Sequence, residues 1–208
     1  MTAQAAPARG PARLPLPSGW PLTLYATIAT ATVCSFLFTL SGGDVEGWRM
    51  VIRTTARTSL AFFLLAFIAS SLRALWRTRG TAWLLANRRY LGVSFAASHA
   101  LHLLAIVRVS RLSPDFHFDP TTVIAGGLAY LFLAALTATS FDRTTAWLGA
   151  RRWKVLHKTG MYYLWFVFAA TYGPRAAGEP SSYGAFVLLL ATALGLRVAA
   201  GVRRTRYE

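Results

Sequence analysis

The chain has one cysteine, Cys34, in 208 residues. A lone thiol cannot close an intramolecular disulfide and fits none of the cysteine-pair metal patterns, so stapled and cysteine–zinc folds are excluded. Cys34 falls inside the first apolar run and reads as a small packing residue. Acidic side chains are also few: 7 Asp and Glu stand against 22 Lys and Arg, a formal net charge of +15. Charged residues make up only 14% of the chain and hydrophobic ones 55%, too apolar for an ordinary soluble domain. Sustained period-2 alternation is missing, which excludes a transmembrane barrel. No reading module accompanies the positive charge, so no nucleic-acid partner is expected.

What is present is a set of six apolar runs, at 20–40, 59–76, 90–107, 121–139, 153–172 and 183–200. Each is near the ~20 residues needed to cross a hydrocarbon core. The expected fold is therefore an all-α integral membrane bundle of six transmembrane helices over residues 20–208, behind a disordered tail at 1–19 rich in Ala, Pro and Arg. The first run is longer than a signal-peptide core and lacks a convincing cleavage site, so it is expected to remain as a span. With alternate loops assigned to opposite sides, one side carries 16 cations and the other 6. This positive-inside bias predicts cytoplasmic termini, with the basic face against anionic lipid headgroups. The expected location is a bacterial inner membrane, crossed several times.

Four histidines punctuate this pattern. His99, His102 and His157 lie in or at the edge of spans, whereas His117 sits in the short loop 114–120 between Asp115 and Asp119. An intramembrane histidine is costly to place and marks a functional site by default. Neutral imidazole is also a common metal ligand and a standard axial ligand for haem iron. His99 and His102 are three apart and share one helical face. On the same span Gly92, Ala96 and Ala100 repeat at spacing four, which would let a backbone or a flat cofactor come close. Arg49, Arg53 and Arg57 form a basic stripe before the second span. It reads either as snorkelling interfacial arginine or as a clamp for an anionic group. The purely apolar part of the fifth run, 161–172, is too short to cross alone. Its helix is expected to begin near Trp153, one turn before His157, and to stop at Gly173-Pro174.

Arg88-Arg89-Tyr90-Leu91-Gly92 with His102 ten residues beyond, the run Leu148-Gly149-Ala150-Arg151-Arg152-Trp153-Lys154-Val155-Leu156-His157, and Arg57-Thr58-Ser59-Leu60 together resemble the ferric reductase-like transmembrane domain. The closest form is the haem-binding membrane subunit of periplasmic methionine sulfoxide reductase systems (MsrQ/YedZ type). The likeness covers roughly residues 45–172. It implies a six-helix protein with one or two b-type haems that carries electrons across the membrane. The donor would be a separate cytosolic flavin reductase or a quinol, so flavin or quinone are possible further cofactors. The acceptor would be a separate periplasmic redox partner, which makes this chain an electron-transfer subunit rather than a stand-alone enzyme. By resemblance, His102 is the third-helix haem-iron ligand, His157 the inner fifth-helix ligand, and Arg88 a cation that ligates or neutralises a haem. The family's second fifth-helix histidine falls here at Ala170.

Helix rise alone puts His157 ~6 Å, His99 ~14 Å and His102 ~18 Å from the cytoplasmic face. Two axial nitrogens on one iron stand ~4 Å apart, at metal–nitrogen distances near 2 Å. Three arrangements stay open: one haem between His99 and His157; an inner haem on His157 with Arg88 and an outer one on His102; or a haem-free relative that serves as a membrane scaffold, assembly factor or transporter subunit.

Overall fold

The computed structural model describes residues 16–114, 116–117 and 119–205. Most of the expected tail, with Arg9 and Arg13, lies outside the described residues, as do Asp115 and Arg206. Eight α-helices follow one another among the described residues: α1 (Trp20–Leu40), α2 (Val45–Leu75), α3 (Arg79–Ala86), α4 (Arg88–Leu112), α5 (Pro120–Ala138), α6 (Asp142–Leu148), α7 (Ala150–Gly178) and α8 (Pro180–Thr205).

Local chemistry sets the helix starts. Asp44 caps α2 by accepting from the Glu46 and Gly47 N–H groups at 2.9 and 3.3 Å. Thr78 and Thr81 form a reciprocal capping box on α3. Asp119 caps α5 ahead of Pro120, accepting from Thr122 N–H at 2.8 Å. The Thr121 hydroxyl, then the Thr122 N–H and hydroxyl, hold this exposed carboxyl below its ordinary pKa. The joint between α6 and α7 is Gly149 at φ 78°, a backbone conformation open mainly to glycine.

Five of these helices, α1, α2, α4, α5 and α8, are long and apolar enough to cross a membrane. Their outward faces carry large apolar side chains such as Tyr25, Phe36, Ile124, Leu131, Leu188 and Val198. A wide apolar exterior of this kind needs lipid against it. The protein is a multi-pass, all-helical membrane protein. Helix α2 is central and packs against α1, α3, α4 and α8, while α7 packs against α5, α6 and α8. Phe63 and Phe67 of α2 are fully buried in the core, with Leu91 and Phe95 of α4 and Leu164 and Phe168 of α7 around them.

Two local expectations are corrected. The second helix does not begin with its apolar run at residue 59. The Asp44 cap starts α2 at Val45, so the Arg49, Arg53 and Arg57 stripe lies on the same helix. Gly173-Pro174 does not stop the fifth helix, and α7 runs on to Gly178 with Pro174 inside it. Proline removes only the N–H that would bond the Ala170 carbonyl, and Arg175 Nη1 covers the next one, Thr171 O, at 2.6 Å. Of the two partners expected at the Gly92/Ala96/Ala100 stripe, no backbone approaches Gly92: a Cβ there would meet nothing within 4 Å, which leaves room for a flat group. The nearest neighbour, α2, packs instead on the Leu91, Ser94, Phe95 and Ser98 face.

The close approaches occur at Gly47 and Gly160. A Cβ at Gly47 would lie 2.9 Å from the Phe38 carbonyl oxygen, backbone that cannot swing away, whereas one at Gly160 would meet the ends of Leu136 and Phe132 at 3.1 Å. Gly47→Ala is expected to cost about 1–3 kcal/mol and Gly160→Ala distinctly less. Thermal unfolding of the detergent-purified protein checks the order, and equal midpoints would contradict it.

Candidate functional site

A seam of hydroxyl groups joins α2 to α4. The Ser98 hydroxyl lies 2.9 Å from those of both Thr58 and Ser59. Further along the seam, His102 Nδ1 stands 3.0 Å from Thr55 Oγ1 and 3.2 Å from the Ile52 carbonyl. Thr55 is fully buried, and its hydroxyl proton goes to the Val51 carbonyl at 2.6 Å. Toward the ring, therefore, Thr55 can only accept, and so can the Ile52 carbonyl. Two acceptors assign the proton to Nδ1 and leave the lone pair on Nε2. A backbone carbonyl on one ring nitrogen is the usual way to orient a histidine whose other nitrogen binds metal.

His99 stacks on His102 with ring centroids 5.0 Å apart and planes 16° from parallel. On its other side it stacks on Tyr130 of α5 at 4.9 Å, and the Tyr130 hydroxyl donates to the His99 carbonyl. His99 Nδ1 is buried without a hydrogen-bond partner among the described residues. Such an orphan costs about 1–3 kcal/mol and calls for an explanation. Across from His99 stands Phe168 of α7, at 6.1 Å. Helices α4 and α7 meet here through rings rather than through closely packed backbones, with Phe95 and Phe63 completing the aromatic layer.

His157 belongs to another level. Thr139 gives its proton to the Ala135 carbonyl at 2.7 Å, so His157 Nε2–H donates to Thr139 Oγ1 at 3.0 Å. The ring lies on Trp153 at 4.2 Å, and Trp153 Nε1 donates to the Thr139 carbonyl. In this state His157 offers Nδ1 rather than Nε2. Arg88 of α4 acts electrostatically on His157 and directs Nε to the Ala66 carbonyl at 3.0 Å. The two levels are well separated. His157 precedes Phe168 by eleven residues on α7, about 16 Å, and Tyr130 precedes Thr139 by nine on α5, about 14 Å. The fold thus brings His99 and His102 together and puts His157 within electrostatic reach of Arg88, but does not bring His99 beside His157.

The basic stripe divides as well. Arg49 and Arg53 both pair with Glu46, and Arg57 lies over the Phe186 ring at 5.9 Å. His117 is exposed beyond α4. Sequence reasoning missed Thr55, Tyr130 and Arg197. The first two carry no signal outside the fold. Arg197 had one, as a cation inside an apolar run.

The residues at the His99/His102 level fit haem iron as a ligand. No group of three His, Cys, Asp or Glu capable of holding a bare metal ion occurs among the described residues. A porphyrin brings four nitrogens of its own, so one oriented imidazole lone pair is enough to anchor it.

The fold and site define a multi-pass helical membrane protein with half-buried imidazoles between its helices. Two curated relatives are each described as a protein-methionine-sulfoxide reductase heme-binding subunit MsrQ. The one from Azospira oryzae is 31% identical over 159 residues, covering 70% of this chain and 63% of the relative. The one from Polaromonas naphthalenivorans is 31% identical over 159 residues, covering 71% of this chain and 69% of the relative. The magnetosome protein MamZ of Magnetospirillum gryphiswaldense is 31% identical over 140 residues, but only 21% of its length is covered. The chain therefore matches 63% of the first MsrQ relative and 69% of the second. No family model matches, and no solved structure does. The chain belongs to the MsrQ family.

The two ring environments predict opposite stability effects in the haem-free protein. His99→Leu removes the orphaned nitrogen and is expected to stabilise by about 1 kcal/mol, whereas His102→Leu strips a donor from the seam and costs about as much. Thermal midpoints of the two variants check the signs.

Proposed function

We propose that this chain is the haem b subunit of a membrane electron-transfer system, with His102 as the principal iron ligand through Nε2. The observation that supports this most directly is the placement of His102 Nδ1 against Thr55 Oγ1 and the Ile52 carbonyl, which assigns the ring proton to Nδ1. His99, stacked on His102 and orphaned at Nδ1, is the second candidate ligand at that level. His157 and Arg88 serve an inner level, where His157 becomes an Nε2 ligand only by leaving Thr139. When bound, haem supplies one-electron redox chemistry.

The chain's own residues do the rest. Thr55 and Ile52 hold the imidazole orientation. Phe63, Phe95 and Phe168 form an apolar wall that excludes water and lowers the local dielectric. Tyr130 buttresses His99 from α5. Helix α7, 29 residues and about 43 Å long, is the sixth crossing. Its cationic first turns sit at the cytoplasmic interface of a bacterial inner membrane, on the same side as both termini. Electrons enter from a separate cytosolic flavoprotein or quinol and leave to a separate periplasmic partner. The MsrQ relatives are named as subunits of methionine sulfoxide reductase, and that substrate system is the expected destination.

A second reading is a haem-free membrane scaffold, as in an assembly or transporter subunit. It is favoured by Phe168 facing His99 and by Ala170 where the family places a histidine. Colour separates the two. Protein purified from a haem-replete host should be red, with a reduced spectrum of the b type, and His102→Ala should abolish or shift those bands. A colourless preparation would mean the scaffold. Topology has its own check: a reporter active only in the cytoplasm should work when fused after Glu208, and a reporter active only in the periplasm should not.

A further inference from the structure

The end of the bundle where α2 and α8 finish is tied by Arg203 Nη1, which donates to the Leu75 carbonyl at 2.9 Å. Inside that end lie two more arginines. Arg197 of α8 sends Nη1 to the Phe67 carbonyl at 2.8 Å and Nε to the Tyr162 hydroxyl at 3.2 Å. Its guanidinium carbon lies 4.3 Å from the Phe67 ring centroid and 4.7 Å from that of Tyr162. Arg88 of α4 bonds the adjacent carbonyl, Ala66, through Nε. Because Ala66 and Phe67 are consecutive on α2, the two guanidinium groups are held near each other, and they act on each other electrostatically. Arg197 is six residues before Arg203 and Ala66 nine before Leu75, so the pair sits about 9–14 Å inside the bundle end.

Neither guanidinium has a carboxylate partner among the described residues. Glu46 serves Arg49 and Arg53, and Asp142 serves Arg89. Arginine does not shed its proton. Two like charges held half-buried beside each other repel, and carbonyl dipoles and ring faces offset only part of that. The protein hydrogen bonds use Nε of Arg88 and Nε and Nη1 of Arg197. The remaining Nη groups are donors suited to a planar or tetrahedral anion.

We infer that Arg88 and Arg197 together form a binding site for one anionic group, a carboxylate or phosphate carried by an amphiphile that reaches this depth. Two sources share that chemistry: a haem propionate and an anionic lipid headgroup. The propionate source rests on the haem reading above, and the lipid source does not.

The test uses the full chain, purified in detergent and stripped of haem, with Arg88→Gln, Arg197→Gln and Arg197→Lys. Circular dichroism and gel filtration report folding. In one arm, haem and haem dimethyl ester, which lacks the two negative charges, are titrated and followed by absorbance. In the other, phosphatidylglycerol retention is read by native mass spectrometry against phosphatidylcholine. If the anion is a propionate, the ester binds wild type about tenfold or more weakly than haem, the loss expected for a charge-assisted hydrogen bond. Arg197→Gln then narrows that gap and Arg197→Lys keeps part of it. If the anion is a lipid phosphate, wild type retains phosphatidylglycerol and both glutamine variants lose it, with haem and ester alike. Should wild type bind haem and its ester equally and also hold no phosphatidylglycerol in preference to phosphatidylcholine, the site does not exist. That comparison needs no variant to fold. If no haem titrates at all, the haem reading falls and the lipid arm alone decides the pair.

Discussion

The hydrogen-bonded seam between α2 and α4 is the constraint from which the rest of the interior takes its orientation. Lipid tails are as apolar as leucine, so little hydrophobic force drives one span onto another, and packing and interhelical hydrogen bonds must contribute. Here Thr58, Ser59 and Ser98 supply hydroxyl-to-hydroxyl bonds across the seam, and Thr55 continues it to His102. With the Thr55 proton on the Val51 carbonyl and the Ile52 carbonyl able only to accept, the ring proton of His102 is assigned to Nδ1. Helix association and imidazole orientation are thus set by one group of side chains.

The second constraint is charge. With 22 cations and 7 acids, carboxylates are scarce, and among the described residues only Arg49, Arg53 and Arg89 pair with one. Others turn to carbonyl oxygens and aromatic faces instead: Arg88 to Ala66, Arg197 to Phe67 and Tyr162, Arg57 to Phe186. These partners orient a guanidinium but do not neutralise it. Where the cations are surface groups, water and lipid headgroups complete the balance. Where two converge beneath the end of the bundle, the same electrostatics call for an anion from outside the chain.

Much of the scaffold was legible in the linear pattern. The first apolar run coincides with α1, and the other runs each fall within one long helix or within a residue of its end. Apolar length is a local property, and a bilayer reads it directly. Boundaries shaped by caps or by neighbours were less legible. Helix α2 begins well before its apolar run because Asp44 caps it, and α7 passes through Pro174 near its end. At the site, the shared face of His99 and His102 followed from their spacing, and the ring stack agrees with it. No backbone comes close to Gly92, because the choice of face belongs to whichever helix packs nearest.

Composition and spacing by themselves determined that this is a helical membrane protein, and that its span histidines lie on the third and fifth apolar runs. Those conclusions need only the cost of placing polar groups in hydrocarbon, which depends on what a residue is rather than on where it folds. The tertiary structure alone decided which nitrogen of His102 keeps its lone pair, that His99 Nδ1 has no hydrogen-bond partner among the described residues, that His157 occupies a separate level, and that Arg88 and Arg197 reach adjacent carbonyls. Each of those depends on a partner from a distant part of the chain. Hydrogen bonds and charge pairs act over a few ångströms, so their outcome is undefined until the helices have packed.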